Sequence, residues 1–200
     1  MEEVHVPRKT AMRDQVLAAR RRRPLAESAE DARLLAQHLL AAPPVRRAAT
    51  VAAYVSTGRE PGTGVLLDAL RESGRRVLLP VLLPDGDLDW ATYDGPGTLV
   101  SARRGLLEPV GPRLGVEAIT RADAVLVPGL AVSSAGMRLG RGGGSYDRAL
   151  ARVAADVWTC VLLHPDEVGL DVPAQAHDRA VRAVATSQGV QSLDPLSPGA

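Results

Sequence analysis

Cysteine, aromatic residues and excess charge are all scarce in this sequence of 200 residues. Its single cysteine, Cys160, excludes an intramolecular disulfide framework and any zinc site built from four thiolates. With no Phe, two Trp and three Tyr, the chain lacks the rings for a base-stacking nucleic-acid platform. The 24 Lys and Arg nearly balance the 23 Asp and Glu, so the net charge is +1. We therefore expect neither nucleic acid nor an anionic membrane among its partners.

Long apolar runs are missing as well. The longest, 77–83 and 124–127, are far too short to cross a bilayer. The first seven residues are acidic and mixed, and no apolar segment follows them, which predicts no targeting segment. We expect a cytoplasmic protein with one domain over 1–191 and a disordered tail over 192–200.

Short apolar runs alternate with segments of helical spacing along the chain. Helices are predicted at 8–22, 28–40, 63–73 and 146–153, and buried strands at 50–55, 76–83, 122–127, 157–163 and 181–185. Ser28 followed by Asp31 resembles a capping box that opens the second helix, and Pro43-Pro44 ends that helix. An Asp-Gly turn predicts a hairpin leading to an antiparallel strand at 88–93, whereas 95–115 is predicted to be mostly loop.

This alternation is typical of the α/β class. We predict a three-layer, single-domain fold with an open, mainly parallel sheet and helices on both faces. Ligands of such sheets bind at the carboxyl ends of the strands. The loops that follow Val55, Pro80, Val127 and Leu163 are therefore predicted to form the site.

The most informative segment is 136–148, which reads Gly-Met-Arg-Leu-Gly-Arg-Gly-Gly-Gly-Ser-Tyr-Asp-Arg. Four glycines within 140–144 let backbone N–H groups approach a ligand at the start of a helix, an arrangement that favours anions. Arg138 and Arg141 add positive charge for phosphate oxygens, and Asp147 is a candidate ligand of a divalent cation. The alternative is a flexible, solvent-exposed loop. Neither a GxxxxGK[ST] loop nor an early GxGxxG is present.

The only lysine of the chain, Lys9, lies four residues before Arg13 in the first predicted helix. Positions i and i+4 share one helix face, so the two cations could clamp a polyphosphate. The alternative is an ordinary solvated basic helix that continues into Arg20–Arg23, which we interpret as solvated surface.

Two carboxylates in later loops are further candidates. Glu60 lies in the loop after the first buried strand, where it could accept N–H groups of a heterocycle. It could equally be a surface charge near a helix start. Asp178, beside His177, could be a second carboxylate for a metal, or only a turn residue before the last strand.

Taken together and in order, these pieces resemble the 5-formyltetrahydrofolate cyclo-ligase family, also called 5,10-methenyltetrahydrofolate synthetases. The matching residues are Lys9 and Arg13; Tyr54, Ser56, Glu60 and Thr63; Val127-Pro-Gly-Leu-Ala131; Gly136; Arg138 to Gly144; Tyr146-Asp147; and His177-Asp178. The resemblance covers about residues 8–186. The sequence departs from the family pattern at Val132-Ser133, where Phe-Asp is usual, and at Ser145, which replaces the first of two tyrosines. It also departs at Arg182, where an acidic residue is frequent.

The resemblance implies an ATP- and Mg²⁺-dependent closure of 5-formyltetrahydrofolate to 5,10-methenyltetrahydrofolate, with release of ADP and phosphate. It implies no covalent nucleophile, charge stabilisation by Lys9, Arg13 and Arg141, and metal binding by Asp147 and Asp178. The implied ATP-binding residues are Lys9, Arg13, Arg138, Leu139, Gly140, Arg141, Gly142, Gly143, Gly144, Ser145 and Tyr146. The implied substrate-binding residues are Val55, Glu60, Arg141, Gly142, Gly143, Gly144 and Ser145.

Such an enzyme would be a monomer or a weak homo-oligomer that binds small molecules. Two other classes stay open at this point. One is a non-catalytic folate- or nucleotide-binding member of the same fold. The other is a sugar-phosphate isomerase or acyl-transferase on a similar scaffold, which would not need ATP.

Overall fold

The computed structural model describes residues 5–193, except the side chains of residues 5–7 and 25–27. A seven-stranded sheet in the order β11-β10-β9-β6-β1-β2-β3 forms its centre. The strands are β1 (Thr50–Ala52), β2 (Arg76–Leu82), β3 (Leu88–Thr92), β6 (Ala124–Pro128), β9 (Trp158–Leu162), β10 (Ala183–Thr186) and β11 (Gly189–Ser192). The five central strands are parallel, and β3 and β11 pair antiparallel at the edges. The predicted mainly parallel α/β sheet is confirmed.

Helices cover both faces of this sheet. On one face, α2 (Leu25–Ala41), α3 (Pro43–Arg47) and α4 (Gly64–Glu72) pack on side chains such as Val51 and Leu79. On the other face, α5 (Ser145–Ala151) and a 3-10 helix at Val116–Arg121 cover a second buried cluster. Because successive strand residues point to opposite faces, continuous apolar runs give both layers their core.

The first helix has a different place in the fold. α1 (His5–Arg21) packs at the carboxyl edge of the sheet, on a small hairpin formed by β7 (Ala131–Val132) and β8 (Arg138–Leu139). The apolar contact is small: its buried members are Val16 of α1 with Leu130, Ala131, Leu139 and Val172. α1 therefore borders the edge where ligands of α/β sheets bind.

The predicted start of the second helix is wrong. α2 begins at Leu25, not at Ser28, and the Ser28 hydroxyl donates to the carbonyl oxygen of Pro24 four residues earlier. Ser28 is thus an interior helical residue, because Pro24 already supplies an extended backbone before the helix. Pro43 and Pro44 do more than end α2: they occupy the first turn of α3, where the missing N–H groups cost nothing.

The loops contain strands that the sequence pattern does not reveal. The stretch 95–115 includes an antiparallel pair, β4 (Leu99–Ser101) and β5 (Leu107–Pro109). Ser192, assigned to the tail by sequence, is the last residue of β11, and the rest of the tail from 194 lies outside the described residues. In the part of the chain that the structure describes, no helix has the length and hydropathy needed to span a bilayer.

Candidate active site

A cavity of about 870 Å³ opens at the carboxyl edge of the sheet. It is lined by every residue that the sequence assigned to ATP, substrate or metal: Lys9, Arg13, Val55, Glu60, the whole segment Arg138–Asp147, and Asp178. The loops after β1 and β6 contribute to it, as predicted, and Leu82 and Leu88, which flank the turn after β2, line it as well. The long connection between β9 and β10, which follows Leu163, also lines the cavity as predicted, through Gln175, His177, Asp178 and Arg179.

The glycine-rich segment presents its backbone to this cavity. Gly142 and Gly144 have φ angles of +98° and +66°, a region that strains any residue with a Cβ. Within the described residues, no hydrogen bond is donated by the N–H groups of Gly142, Gly143 or Gly144. These donors are therefore available to an anionic ligand. α5 has only seven residues, so its dipole adds little to the attraction.

Lys9 and Arg13 point from α1 toward the glycine-rich segment and the 175–179 loop. Lys9 is only 5% exposed, and its Nζ donates to Asp178 Oδ2 at 2.6 Å and to Gln175 Oε1 at 3.0 Å. Arg13 Nε donates to the carbonyl oxygen of Gly140 at 2.9 Å. The alternative of a solvated basic face is therefore wrong for Lys9. Its ammonium keeps a third N–H beyond these two bonds.

Arg138 and Asp147 form an ion pair on the wall of the cavity. Arg138 is buried, and its Nη2 lies 3.1 Å from Asp147 Oδ1 while Nη1 donates to the carbonyl oxygen of Pro128. Its guanidinium lies 5.8 Å from the centre of the Tyr146 ring. Burial raises the pKa of Tyr146, so its phenol is neutral near pH 7. Arg138 thus fixes the direction of Asp147 as well as adding positive charge.

Asp147 and Asp178 come together although they are far apart in sequence. The backbone N–H of Arg179, the residue after Asp178, donates to Asp147 Oδ1 at 3.3 Å. Asp178 Oδ2 also accepts from the backbone N–H of Gln175 at 2.7 Å, which closes a local turn. Among residues 5–193, no three His, Cys, Asp or Glu side chains group closely enough to hold a metal ion by themselves.

Glu60 also lines the cavity, in the loop after β1. Its Oε2 accepts from the backbone N–H of Thr57 at 2.8 Å, and Oε1 lies 3.0 Å from Arg141 Nη2. Reciprocal bonds between Ser56 and Thr63 close the same loop. Glu60 is 9% exposed whereas Arg141 is 57% exposed, so the arginine can move without uncovering the carboxylate.

Several lining residues were given no ligand-binding role by the sequence analysis. The Tyr54 hydroxyl is buried and has no hydrogen-bond partner among the described residues, which leaves its proton free for a ligand. The others are Thr57, Pro80, Leu82, Leu88, Arg104, Leu106, Leu107, Glu108, Pro128, Gly129, Arg148, Ala151, Gln175, His177 and Arg179. Those from Pro80 to Glu108 lie in the β2–β3 or β4–β5 hairpins, whose contact with the site is set only by the tertiary fold.

The largest error of the sequence interpretation is the assignment of Arg20 to the solvated surface. Arg20 is only 2% exposed. Its Nε and Nη2 each donate to Glu167 at 2.7 Å, and Nη2 also donates to the carbonyl oxygen of Gly129 at 2.7 Å. The first part of the connection after Leu163, which contains Glu167, thus binds α1, whereas its later part lines the cavity.

His164 belongs to the same buried network and predicts a pH dependence of stability. It is 4% exposed, and burial lowers its pKa below the ordinary 6.5. Below about pH 6.5 the His164 imidazole is protonated in the unfolded chain but stays neutral in the folded chain. The free energy of unfolding therefore falls as pH drops from about 6.5 toward the folded pKa. Denaturant unfolding at about pH 7.5 and pH 5.5 checks this. The prediction would be contradicted if the free energy of unfolding of a His164→Gln variant fell between these two pH values by as much as that of the unmodified protein.

This arrangement defines an α/β protein whose cavity brings cationic side chains and unpaired backbone N–H groups together with a buried carboxylate. The model of the "5-formyltetrahydrofolate cyclo-ligase family" matches residues 5–187, and the chain belongs to this family. The family name describes an enzyme of the ligase class.

Individual relatives agree with this assignment. The chain is 47% identical over 150 residues to a 5-formyltetrahydrofolate cyclo-ligase of Mycolicibacterium smegmatis, covering 72% of this chain and 77% of that protein. It is 38% identical over 117 residues to the Escherichia coli K12 protein of the same name, covering 58% and 64% respectively. The solution structure of Aquifex aeolicus 5,10-methenyltetrahydrofolate synthetase matches with a TM-score of 0.79 at 25% identity, over 96% and 95% of the two chains.

Proposed function

We infer that this protein catalyses the ATP-dependent cyclisation of 5-formyltetrahydrofolate to 5,10-methenyltetrahydrofolate, with release of ADP and phosphate. The observation that carries this proposal is the single cavity in which the cations of α1, the free N–H groups of 142–144 and Glu60 all meet. The reaction is assigned to the cytoplasm. A monomer or weak homo-oligomer is expected.

The chemistry explains why ATP is needed. The formyl oxygen is a poor leaving group as hydroxide. If this oxygen attacks the γ-phosphorus, ADP departs and the carbon carries a phosphate ester. The lone pair of N10 then attacks that carbon, the C–O bond breaks with phosphate as leaving group, and N10 loses its proton. No side-chain nucleophile is required, so the protein's work is orientation and charge stabilisation.

The phosphate side of this reaction fits the wall formed by α1 and the glycine-rich segment. Lys9 retains one N–H for a phosphate oxygen, and Arg13 packs against Gly142, with its guanidinium carbon 3.5 Å from where a Cβ would lie. Cations and backbone N–H groups at one place stabilise the charge that develops on the transferred phosphoryl group.

The folate side fits the wall that carries Glu60. A carboxylate held by Thr57 is pre-oriented to accept paired N–H groups of the pterin ring. The neighbouring lining residues Leu82, Leu88 and Leu106 offer apolar surface for the rings of the substrate. Arg141, which pairs with Glu60, stands between the two walls and can serve both ligands.

The residues present also fit Mg²⁺, although they form no complete cage. The described hydrogen bonds of Asp147 end on Oδ1 and those of Asp178 end on Oδ2. Asp147 Oδ2 is therefore open to a metal or its waters, and so is Asp178 Oδ1, whose described neighbour is the exposed His177, with Nε2 3.7 Å away. Mg²⁺ typically takes one or two carboxylates and completes its octahedron with water and phosphate oxygens. When bound, the ion would neutralise charge on the transferring phosphate.

This assignment predicts a shifted Mg²⁺ dependence. Asp147→Asn is expected to raise the Mg²⁺ concentration for half-maximal rate severalfold, because an amide is a weaker ligand, and Asp178→Asn is expected to do so more mildly. The ligand-free melting temperature should fall no further than in Asp87→Asn, a control whose aspartate pairs with Arg152 outside the cavity. A fall of several degrees with an unmoved Mg²⁺ dependence would make both aspartates structural.

The function itself is tested by coupled release of ADP and appearance of the methenyl absorbance. The proposal expects equal amounts of both products, and neither without 5-formyltetrahydrofolate. A protein that binds both ligands but releases no ADP would instead be the non-catalytic member considered above.

A further inference from the structure

We propose that Arg20, through its buried pair with Glu167, is a positioning residue that sets where Lys9 and Arg13 stand in the cavity. This rests on the proposed function only for the identity of the nucleotide. Arg20 does not line the cavity and therefore acts on a ligand only through other residues.

The helix geometry connects these three cations. Positions 9, 13 and 20 follow the spacing i, i+4, i+11, which places their side chains on one face of α1. Eleven residues span about 16 Å, so a small rotation or slide at Arg20 moves Lys9 as well. This spacing is present in the sequence, but Arg20 is the first of four consecutive arginines at 20–23. The sequence does not show that Arg20 is the buried one.

Arg20 lies where several segments of the carboxyl edge meet. Glu167 belongs to the loop after β9, and the carbonyl oxygen of Gly129 belongs to the loop after β6, which also lines the cavity. Glu167 Oε2 further accepts from the backbone N–H of His164 at 2.9 Å, and His164 Nε2–H donates to the carbonyl oxygen of Arg59 at 3.1 Å. One guanidinium thus ties α1 to the frame that supports both walls.

Apart from the bonds of Lys9 and Arg13 themselves and the exposed Arg8–Asp171 pair, the described contacts of α1 supply little that would fix its register. Val16 is its one buried apolar residue in the contact with β7 and β8. Apolar contact is non-directional, whereas a two-pronged arginine–carboxylate bond specifies both distance and angle. A lysine in place of Arg20 would keep the charge but lose the fork.

The Glu60 wall does not depend on this pair to the same extent. The bonds that orient Glu60 are local in sequence: Thr57 holds its carboxylate, and the Ser56–Thr63 bonds close its loop. Among the described bonds, only those of Arg59 connect this loop to the Arg20 network, through His164 and the carbonyl oxygen of Arg23. Loosening α1 should therefore weaken nucleotide binding and leave folate binding nearly intact. If the role of Arg20 were purely structural, its substitution would weaken the binding of both ligands to the same extent.

The test is Arg20→Lys, with dissociation constants for ATP and for 5-formyltetrahydrofolate measured by calorimetry well below the melting temperature. The Kd for ATP is expected to rise about tenfold and that for the folate by less than about twofold. Arg33→Lys is the matched control, because Arg33 makes the same two-pronged contact with Glu30 on the exposed face of α2. It should change neither constant.

A double-mutant cycle tests whether Arg20 acts through α1. In an Arg13→Ala background, Arg20→Lys should raise the ATP Kd by only about threefold, because one of the two positioned groups is gone. An undiminished tenfold effect there, equal weakening of both ligands, or no effect on ATP would each overturn the proposal. These are binding measurements, so a protein that binds ATP but forms no product would refute the proposed function and not this inference.

Two further measurements cover the case in which Arg20→Lys does not fold. Glu167→Gln removes the charge from the other partner and should give the same ATP-selective loss. On the unmodified protein, the amides of 16–21 should exchange with solvent as slowly as those of α2, since the pair holds that end of α1. Exchange at the rate of an unstructured peptide would overturn the proposal.

Discussion

Replacing Lys9 by alanine is expected to lower kcat/KM for ATP by about ten- to a hundredfold, the largest loss from any single change in the site. The substitution removes a charge-assisted contact to phosphate, which is worth about 1.5–3 kcal/mol. It also leaves Asp178, whose side chain is 9% exposed, without its cation. Arg13→Ala is also expected to lower kcat/KM for ATP, because Arg13 donates a hydrogen bond to the carbonyl oxygen of Gly140 and so holds the glycine-rich segment. Steady-state rates at varied ATP measure both effects.

The neighbouring Arg8 offers a matched control. It pairs with Asp171 on the surface, where the two side chains are 55% and 81% exposed. Arg8→Ala removes one positive charge from the same turn of α1 and should leave kcat/KM for ATP within about twofold. If Lys9→Ala and Arg13→Ala are as mild as this control, α1 does not bind the nucleotide.

Replacing Glu60 by glutamine is expected to lower kcat/KM for 5-formyltetrahydrofolate by about tenfold or more, with the Kd for ATP changed by less than about twofold. An amide presents one acceptor where the pterin needs two, so a charge-assisted pair of bonds is lost. Steady-state rates at varied 5-formyltetrahydrofolate measure the first effect, and titration of ATP into the variant measures the second. Glu117→Gln is the control, because its carboxylate is 72% exposed and pairs with Arg152 away from the cavity. Equal losses for both ligands would mean that Glu60 supports the whole cleft.

The sequence predicts the sheet well because its strands are covered on both faces. Continuous apolar runs such as 122–127 and 157–163 leave few alternatives to buried parallel strands, and the structure places β6 and β9 there. β11 and the β4–β5 hairpin could not be found in this way. Their strands are short and partly exposed, with Val100 49% exposed, so they carry no apolar pattern.

The candidate site is predictable to the extent that its residues are adjacent in sequence. The glycines of 136–148 predict that the backbone there comes close to a ligand. Lys9 and Arg13 share a helix face whatever the tertiary fold. What no local pattern contains is which charge is buried. Arg20 and Arg21 look alike in the sequence, yet only Arg20 meets Glu167, a partner 147 positions away.

The most direct test of the account follows the formyl oxygen. 5-Formyltetrahydrofolate carrying ¹⁸O in the formyl group is converted with unlabelled ATP at neutral pH, and the released phosphate is analysed by mass spectrometry. The account predicts one ¹⁸O in phosphate for each methenyl product, because the formyl oxygen leaves bound to phosphorus. Unlabelled phosphate, with the ¹⁸O recovered in water, would contradict it.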